Sequence, residues 1–309
     1  MPGSGEAFEP GAGTGAPARG DLTDELIERS FWTDEHLARA GIPIVDVPFV
    51  SVGGGIGSFV MADYLRIAGV PATSIRVLTA IDEPWQTYKY LTRVSQIPEG
   101  ERLRSDSSST PDNIWGYPSY AFREALSEHG LTKRLAPLWQ VFTEPILTDY
   151  FTPKAGQVFR SLRREADRLG WWSLPVKGNV RMVRRRVGGG YFSILTPSPG
   201  SAPTMRIAFK SRFVHVAVGY PGVKFLPDLQ EYRKKYTDYG RVVNAYEPHE
   251  HVYDALQRRP STIILRGSGI VASRILQRLI DDRDQKGSRT TILHLFRTYI
   301  PGAHGPNLF

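Results

Sequence analysis

A chain of 309 residues that is 41% hydrophobic can bury a substantial core, and its length suggests about two domains. A formal charge of +8 favours polyanionic partners, a demand that nucleotide cofactors meet as readily as nucleic acid. The absence of cysteine excludes disulfides, thiolate metal sites, iron–sulfur clusters and a cysteine nucleophile, and it suits a reducing cytoplasm.

Thirteen of the first twenty residues are Gly, Pro or Ala, which build no core face, so residues 1–20 are expected to be a disordered tail. That stretch also lacks the basic-then-apolar order of a secretory signal. No apolar run approaches the roughly 18–20 residues of a membrane helix, so no membrane is expected as a partner. Residues 21–41 read as two short helices, with Thr33 as the N-cap of the second and Gly41 as its stop. IPIVDVPFVSV then reads as one buried strand running into VSVGGGIGSF, residues 50–59. SFVMADYLRIAG has helical spacing at Val60, Tyr64, Leu65 and Ala68, and SIRVLTAID is a second strand, so the segment forms a right-handed βαβ unit.

Residues 84–150 have few glycines and many aromatics; PSYAFREALSEHG reads as a helix closed by Gly130. A further helix is expected to open at Thr152-Pro153, cap then first-turn proline, and to run to Gly170. GNVRMVRRRVGGGYFSILTP reads as a β-hairpin, and RFVHVAVG as an apolar strand ending at Gly219. The basic run Arg184-Arg185-Arg186 beside Arg181 is a solvated face, because the basic, aromatic-interleaved groove of a nucleic-acid binder is absent. The pattern then restarts: STIILRGSGIVASRILQRLIDDRDQKG is strand, glycine turn and helix, and TTILHLFRT is the next strand.

A turn that cradles a pyrophosphate needs one glycine for tightness, a second for close backbone approach and a small third residue for helix–strand packing. The helix N-terminus then supplies free N–H groups and partial positive charge. Gly53-x-Gly55-x-x-Ser58, which encloses Ile56 and Gly57, meets this pattern with serine third. Gly267-x-Gly269-x-x-Ala272 meets it with alanine third. One such motif is weak, since a glycine-rich link in an ordinary α/β sheet looks alike; two, each between strand and helix, are much stronger. Neither turn ends in Gly-Lys-Ser/Thr, against a Walker-type loop. Arg297, where the strand after the second turn ends, sits where a 2′-phosphate is read, which favours NADPH over NADH. After the first turn, Thr79 stands where a ribose-binding carboxylate is expected, with Asp82 three residues on.

The arrangement resembles the two-dinucleotide-domain flavoprotein oxidoreductases, nearest the class B type monooxygenases and N-hydroxylases. VHVAVGYPGVKFLPDL is similar to the segment by which their chain leaves the FAD domain, with Gly219 in the glycine position. ERLRSDSS resembles their segment near the flavin, which implies roles for Arg104 and Ser105. Val243-x-Ala245-x-x-x-His249-x-x-x-Tyr253 keeps the histidine and last aromatic of their motif upstream of the NADPH strand, while valine and alanine replace its first two members. The resemblance implies an α/β fold of two Rossmann-like domains, FAD-type over 21–219 with a β-hairpin and helical insertion, and NADPH-type over 220–309. It also implies FAD and NADPH as cofactors, a small-molecule substrate that the sequence does not identify, and no protein nucleophile or base. In the resembled fold the chain returns after the NADPH domain to finish the first sheet. Only 48 residues follow the start of the strand at Thr262, so that domain is expected to be incomplete, finished by a partner chain or a missing C-terminal segment. Two readings stay open beside it: a non-catalytic flavin-binding structural or sensory subunit, and a metal site from Glu247, His249, Glu250 and His251, which strand alternation disfavours. No Gly-x-Ser-x-Gly elbow supports a hydrolase.

Overall fold

The computed structural model describes residues 20–102, 117–143, 146–148, 151–198, 205–219 and 225–296. The N-terminal tail up to residue 19, Arg104, Ser105 and Arg297 lie outside these. The chain divides into two compact units, residues 1–84 with 166–219, and residues 85–165 with 220–309.

Helix α1 (Asp24–Glu28) opens on Thr23, whose hydroxyl accepts the Leu26 N–H, and β1 (Phe31–Trp32) follows. Thr33 caps α2 (Asp34–Arg39) in a reciprocal box: its hydroxyl accepts the His36 N–H, and His36 Nδ1 accepts the Thr33 N–H. The apolar run after Gly41 is two strands rather than one, β2 (Ile44–Asp46) and β3 (Phe49–Val52). Pro48 between them has no N–H to continue a ladder, and its carbonyl accepts from Arg212 and Phe213 instead. Then come α3 (Ile56–Ile67), β4 (Ile75–Thr79), α4 (Gln86–Val94), α5 (Tyr117–Ser127) and α6 (Leu131–Thr143). Helix α7 (Ala155–Leu169) starts later than the Thr152-Pro153 signal suggests. Lys154 pairs with Arg102 in an isolated bridge, and its N–H bonds to Gln157 Oε1, so the chain stays extended up to that point. The hairpin forms as expected from β5 (Pro175–Arg186) and β6 (Tyr191–Pro197), followed by β7 (Ile207–Ser211) and β8 (Phe213–Val216). The chain closes with α8 (Pro227–Tyr236), α9 (Glu250–Arg258), β9 (Ser261–Arg266), α10 (Ile270–Lys286) and β10 (Thr290–Leu295).

The first unit is built on an eight-stranded sheet of order β2-β7-β6-β5-β4-β3-β8, with β1 beside the far end of β5. β8, β3, β4 and the start of β5 run parallel, and β5, β6 and β7 form an antiparallel meander. β5 serves both halves by changing partner at Gly178, whose φ of 156° and closeness to the Thr196 carbonyl exclude a side chain. Trp32, Leu37, Phe192 and Ile194 fill one core cluster, and Val50, Leu78, Leu195 and Phe209 another. Helix α3 buries Ser58, Phe59 and Ala62, while Val60 and Tyr64, expected on the packed face, are exposed. The glycine turn sets that rotation, placing Ser58 beneath itself and Phe59 edge-on to Trp171 at 5.3 Å.

In the second unit β9 and β10 pair in parallel, Ile263 opposite Ile292. Ile275 and Leu279 of α10 pack over one face with Tyr253 and Leu256 of α9. The other face presents Ile264, Leu293 and Leu295 to solvent. A separate cluster of Tyr120, Ala121, Phe151 and Val158 holds α5 and α7 together, and buried Glu124 pairs with Arg102 at 2.6 Å and Lys154 at 3.3 Å. Residues 85–165, expected from the sequence as an insertion in the first domain, group with this unit.

Candidate functional site: two glycine turns

β3 is flanked on one side by β4, which follows it through α3, and on the other by β8, which the chain reaches only after β7, so the strand order reverses at β3. The carboxyl end of a strand at such a switch point is where open α/β sheets bind ligands. The Gly53 N–H continues the ladder to the Leu78 carbonyl at 3.0 Å, and the chain then turns into α3. Gly53 has φ of 131° and would drive a side chain into the Ala217 carbonyl. Gly54 has φ of 74°, and a Cβ there would collide with the Thr79 side chain. Gly55 differs: it is the N-cap of α3 at φ −79° and ψ −166°, backbone that any residue adopts. Its nearest neighbour for a built Cβ is the Pro84 carbonyl at 4.0 Å. Gly57 is the close-packing member, since a Cβ built on it would lie 3.1 Å from the Ala217 methyl.

The second turn repeats this backbone. The Gly267 N–H bonds to the Leu295 carbonyl at 2.9 Å with φ of 133°, and Gly269 caps α10 at φ −79° and ψ 173° with nothing within 4 Å of a built Cβ. Ala272 is buried, 3.9 Å from where a Gly267 side chain would sit. Neither α3 nor α10 has a side-chain cap, in contrast to α1 and α2. A dinucleotide pyrophosphate fits both turns by this test. The protein's own packing does not require glycine at Gly55 or Gly269, and the space left open faces uncapped helix N-termini.

No protein-family model matches the chain, and no curated protein does. Among solved structures it is similar to an ornithine hydroxylase, PvdA from Pseudomonas aeruginosa, with TM-score 0.50 and 17% identity. The fold is shared with that hydroxylase. The likeness covers 82% of this chain but 55% of the hydroxylase, so the chain spans about half of that protein's length. A polycyclic ketone monooxygenase from Thermothelomyces thermophila matches over 83% of this chain and 38% of its own, with TM-score 0.47 and 16% identity.

Other residues singled out in the sequence are placed as follows. Thr79 Oγ1 donates to the Gly53 carbonyl and accepts the Ile81 N–H, both at 3.1 Å, so its hydroxyl braces the turn. Asp82 is largely exposed and pairs with Lys177 at 2.9 Å. Gly219 lies beyond β8 with φ of 74°. His249 is buried as the N-cap of α9, with Nδ1 2.7 Å from the Glu247 carbonyl and Nε2 3.2 Å from the Tyr253 hydroxyl. A carbonyl only accepts, so Nδ1 carries a hydrogen, while Nε2 bonds to the Tyr253 hydroxyl. Both ring nitrogens are thereby used inside the unit. Burial, joined by the Glu250 charge, pushes the Tyr253 phenol well above its ordinary value. Glu247 is held by Arg233 in a two-pronged pair at 3.1 Å, and His251 Nε2 donates to the Gly240 carbonyl. Among the described residues no three His, Asp or Glu side chains gather as a metal would require.

Sequence reading missed the braces beneath both turns. His294 Nε2 donates to the Gly267 carbonyl at 2.5 Å, as Thr79 does to Gly53. Ser51 and His215 join Ser58 under the first turn. The signal available was a polar residue inside an apolar strand, VSV and VHV, but only the β3–β8 register brings the two together.

Proposed function

We propose that the chain holds FAD at the Gly53–Ser58 turn and NADPH at the Gly267–Ala272 turn, as an oxidoreductase of the flavin monooxygenase type. The observation that carries this is the repeated backbone. Two βαβ units share dihedrals at the first and third positions of the turn, and in each the N-cap glycine is unused by the protein itself. The shared fold with an ornithine hydroxylase supports the same reading.

The chemistry a bound flavin supplies is acceptance of hydride from a nicotinamide and its passage to dioxygen or another acceptor. The chain's own part is binding and orientation. The N–H groups opening α3 and α10 attract diphosphate charge, and the carbonyls of Gly53 and Gly267 are turned aside by Thr79 and His294. Thr79 occupies the place of a ribose carboxylate, so the ribose contact at the first turn rests on backbone or on the exposed Asp82. The deciding experiment is an absorbance spectrum of the full chain after reconstitution with FAD. A protein-bound flavin band that bleaches anaerobically on adding NADPH is expected. A colourless protein that takes up no FAD overturns the reading.

A further inference from the structure

Ser51 interrupts an otherwise apolar β3, and its side chain is fully buried. Parallel pairing sets it opposite His215 of β8. Its hydroxyl donates to Ser58 Oγ at 2.8 Å and lies 3.0 Å from His215 Nδ1. Ser58 Oγ also accepts the Gly54 N–H at 3.0 Å. A serine has one hydroxyl hydrogen. Since Ser51 gives its hydrogen to Ser58, the hydrogen between Ser51 and His215 sits on Nδ1. Ser58 then accepts twice, and its own hydrogen remains to be donated. The two hydrogen bonds from His215 through Ser51 therefore run one way into Ser58, which receives the Gly54 N–H from the other side.

We propose that His215, Ser51 and Ser58 form an ordered relay that positions the first glycine turn and tightens its hold on a diphosphate when His215 is protonated. The ligand half of this rests on the dinucleotide reading of that turn. Protonation adds the charge at Nε2 while Nδ1 keeps donating, so the direction of the relay is preserved and its donating strength rises. His215 is only partly buried, so protons reach it. The elements packed most closely on β8 are β3 and α3, and Val214 also reaches the apolar Leu78, Leu195 and Phe209 cluster. β3 has no titratable side chain. On α3, Asp63 is taken by Arg168, Arg66 donates to the Leu169 and Val70 carbonyls, and Tyr64 is exposed. Beside β8 itself, Arg212 lies over the Phe213 ring. His215 forms no ion pair among the described residues, so its own charge governs the relay.

The test is FAD affinity, followed by quenching of flavin fluorescence, from about pH 5.5 to about pH 8.5. Binding is expected to be about threefold tighter at the acid end. His215→Asn keeps a donor near Nδ1 but cannot titrate, and it should bind FAD with no pH step. Ser51→Ala cuts the relay and should bind more weakly, also without a step. A merely structural serine pair would change affinity and leave the slope, so a wild-type slope that persists in either variant overturns the proposal, as does a flat wild type. A second measurement needs no cofactor. In the ligand-free protein, the Gly54 amide resonance should follow the His215 titration, and Ser51→Ala should uncouple them. If FAD binds at no pH, the dinucleotide reading fails and this measurement alone decides: a Gly54 amide that ignores His215 ends the relay.

Discussion

At Gly54 the backbone is left-handed and Thr79 fills the space a side chain would take, whereas Gly55, next in the chain, is extended and faces no protein atom nearer than the Pro84 carbonyl. Substitutions there should separate folding from binding. Gly54→Ala combines backbone strain with a collision against β4 and should cost about 3 kcal/mol, read as a lowered thermal midpoint. Gly55→Ser adds a favoured N-cap at allowed dihedrals and should leave the midpoint level or higher. The same serine would block close approach to the helix N-terminus and should weaken FAD binding about tenfold or more by titration. Both glycines are visible in the sequence as one GGG run. Their division of labour is not, because it depends on Thr79 arriving from a strand 25 residues later.

The βαβ elements follow from local pattern. Apolar strands bounded by glycine, and helices with apolar spacing, are short-range properties, and the β9–α10–β10 unit forms where the sequence indicates. Helix α10 also carries an ion cluster of its own, spaced four residues apart. Asp282 on its buried side accepts from Lys286 at 2.7 Å and Arg278 at 3.0 Å. Burial alone would raise its carboxyl, but these two cations hold it below its ordinary value of 3.8. A lowered folded-state value means that the unfolded chain takes up the proton first. The stabilisation is therefore complete above the ordinary carboxylate range and is lost as pH falls through the lower folded value. Asp282→Asn should reduce the thermal midpoint by a few degrees at neutral pH and by progressively less below about pH 4, so that the two melting curves converge in acid. A difference that persists unchanged to low pH would show that packing, not charge, sets the loss. The rotation of α3 is the element-scale departure. Helical spacing alone permits Val60 and Tyr64 as the packed face, and the Ser58–Gly54 bond chooses another.

Across the whole molecule one turn geometry occurs twice, at first glycines 53 and 267, and under the proposed function each would hold its own nucleotide. His294 braces the second turn by the carbonyl of Gly267, and Arg297 lies three residues further along the sequence. Arg297→Ala is expected to weaken NADPH binding about tenfold while leaving NADH within about twofold, measured by titration of each nucleotide. Equal losses would show that Arg297 does not read a 2′-phosphate. One division between the two compact units falls between residues 219 and 220. The membership of residues 85–165 does not follow from order along the chain. It comes from contacts such as Arg278 with Gln96 at 3.1 Å and the Tyr90 hydroxyl with the Tyr246 carbonyl at 2.6 Å.

By itself the sequence determined that this is an α/β protein with two strand–glycine–helix turns, because strand and helix periodicity and glycine placement act within a dozen residues. It also carried the resemblance to flavoproteins, through the order of those segments. Tertiary structure alone decided which glycines the fold needs and which stand free, that Thr79 and His294 serve the turns, and that His249 spends both nitrogens inside its own unit. The first turn of GGGIGS rests on Ser51 and His215, 164 residues apart in the chain and adjacent only through parallel pairing. Such hydrogen bonds join strands that no local pattern relates, and the register of a sheet, set by its whole buried face, is what brings their donors and acceptors together.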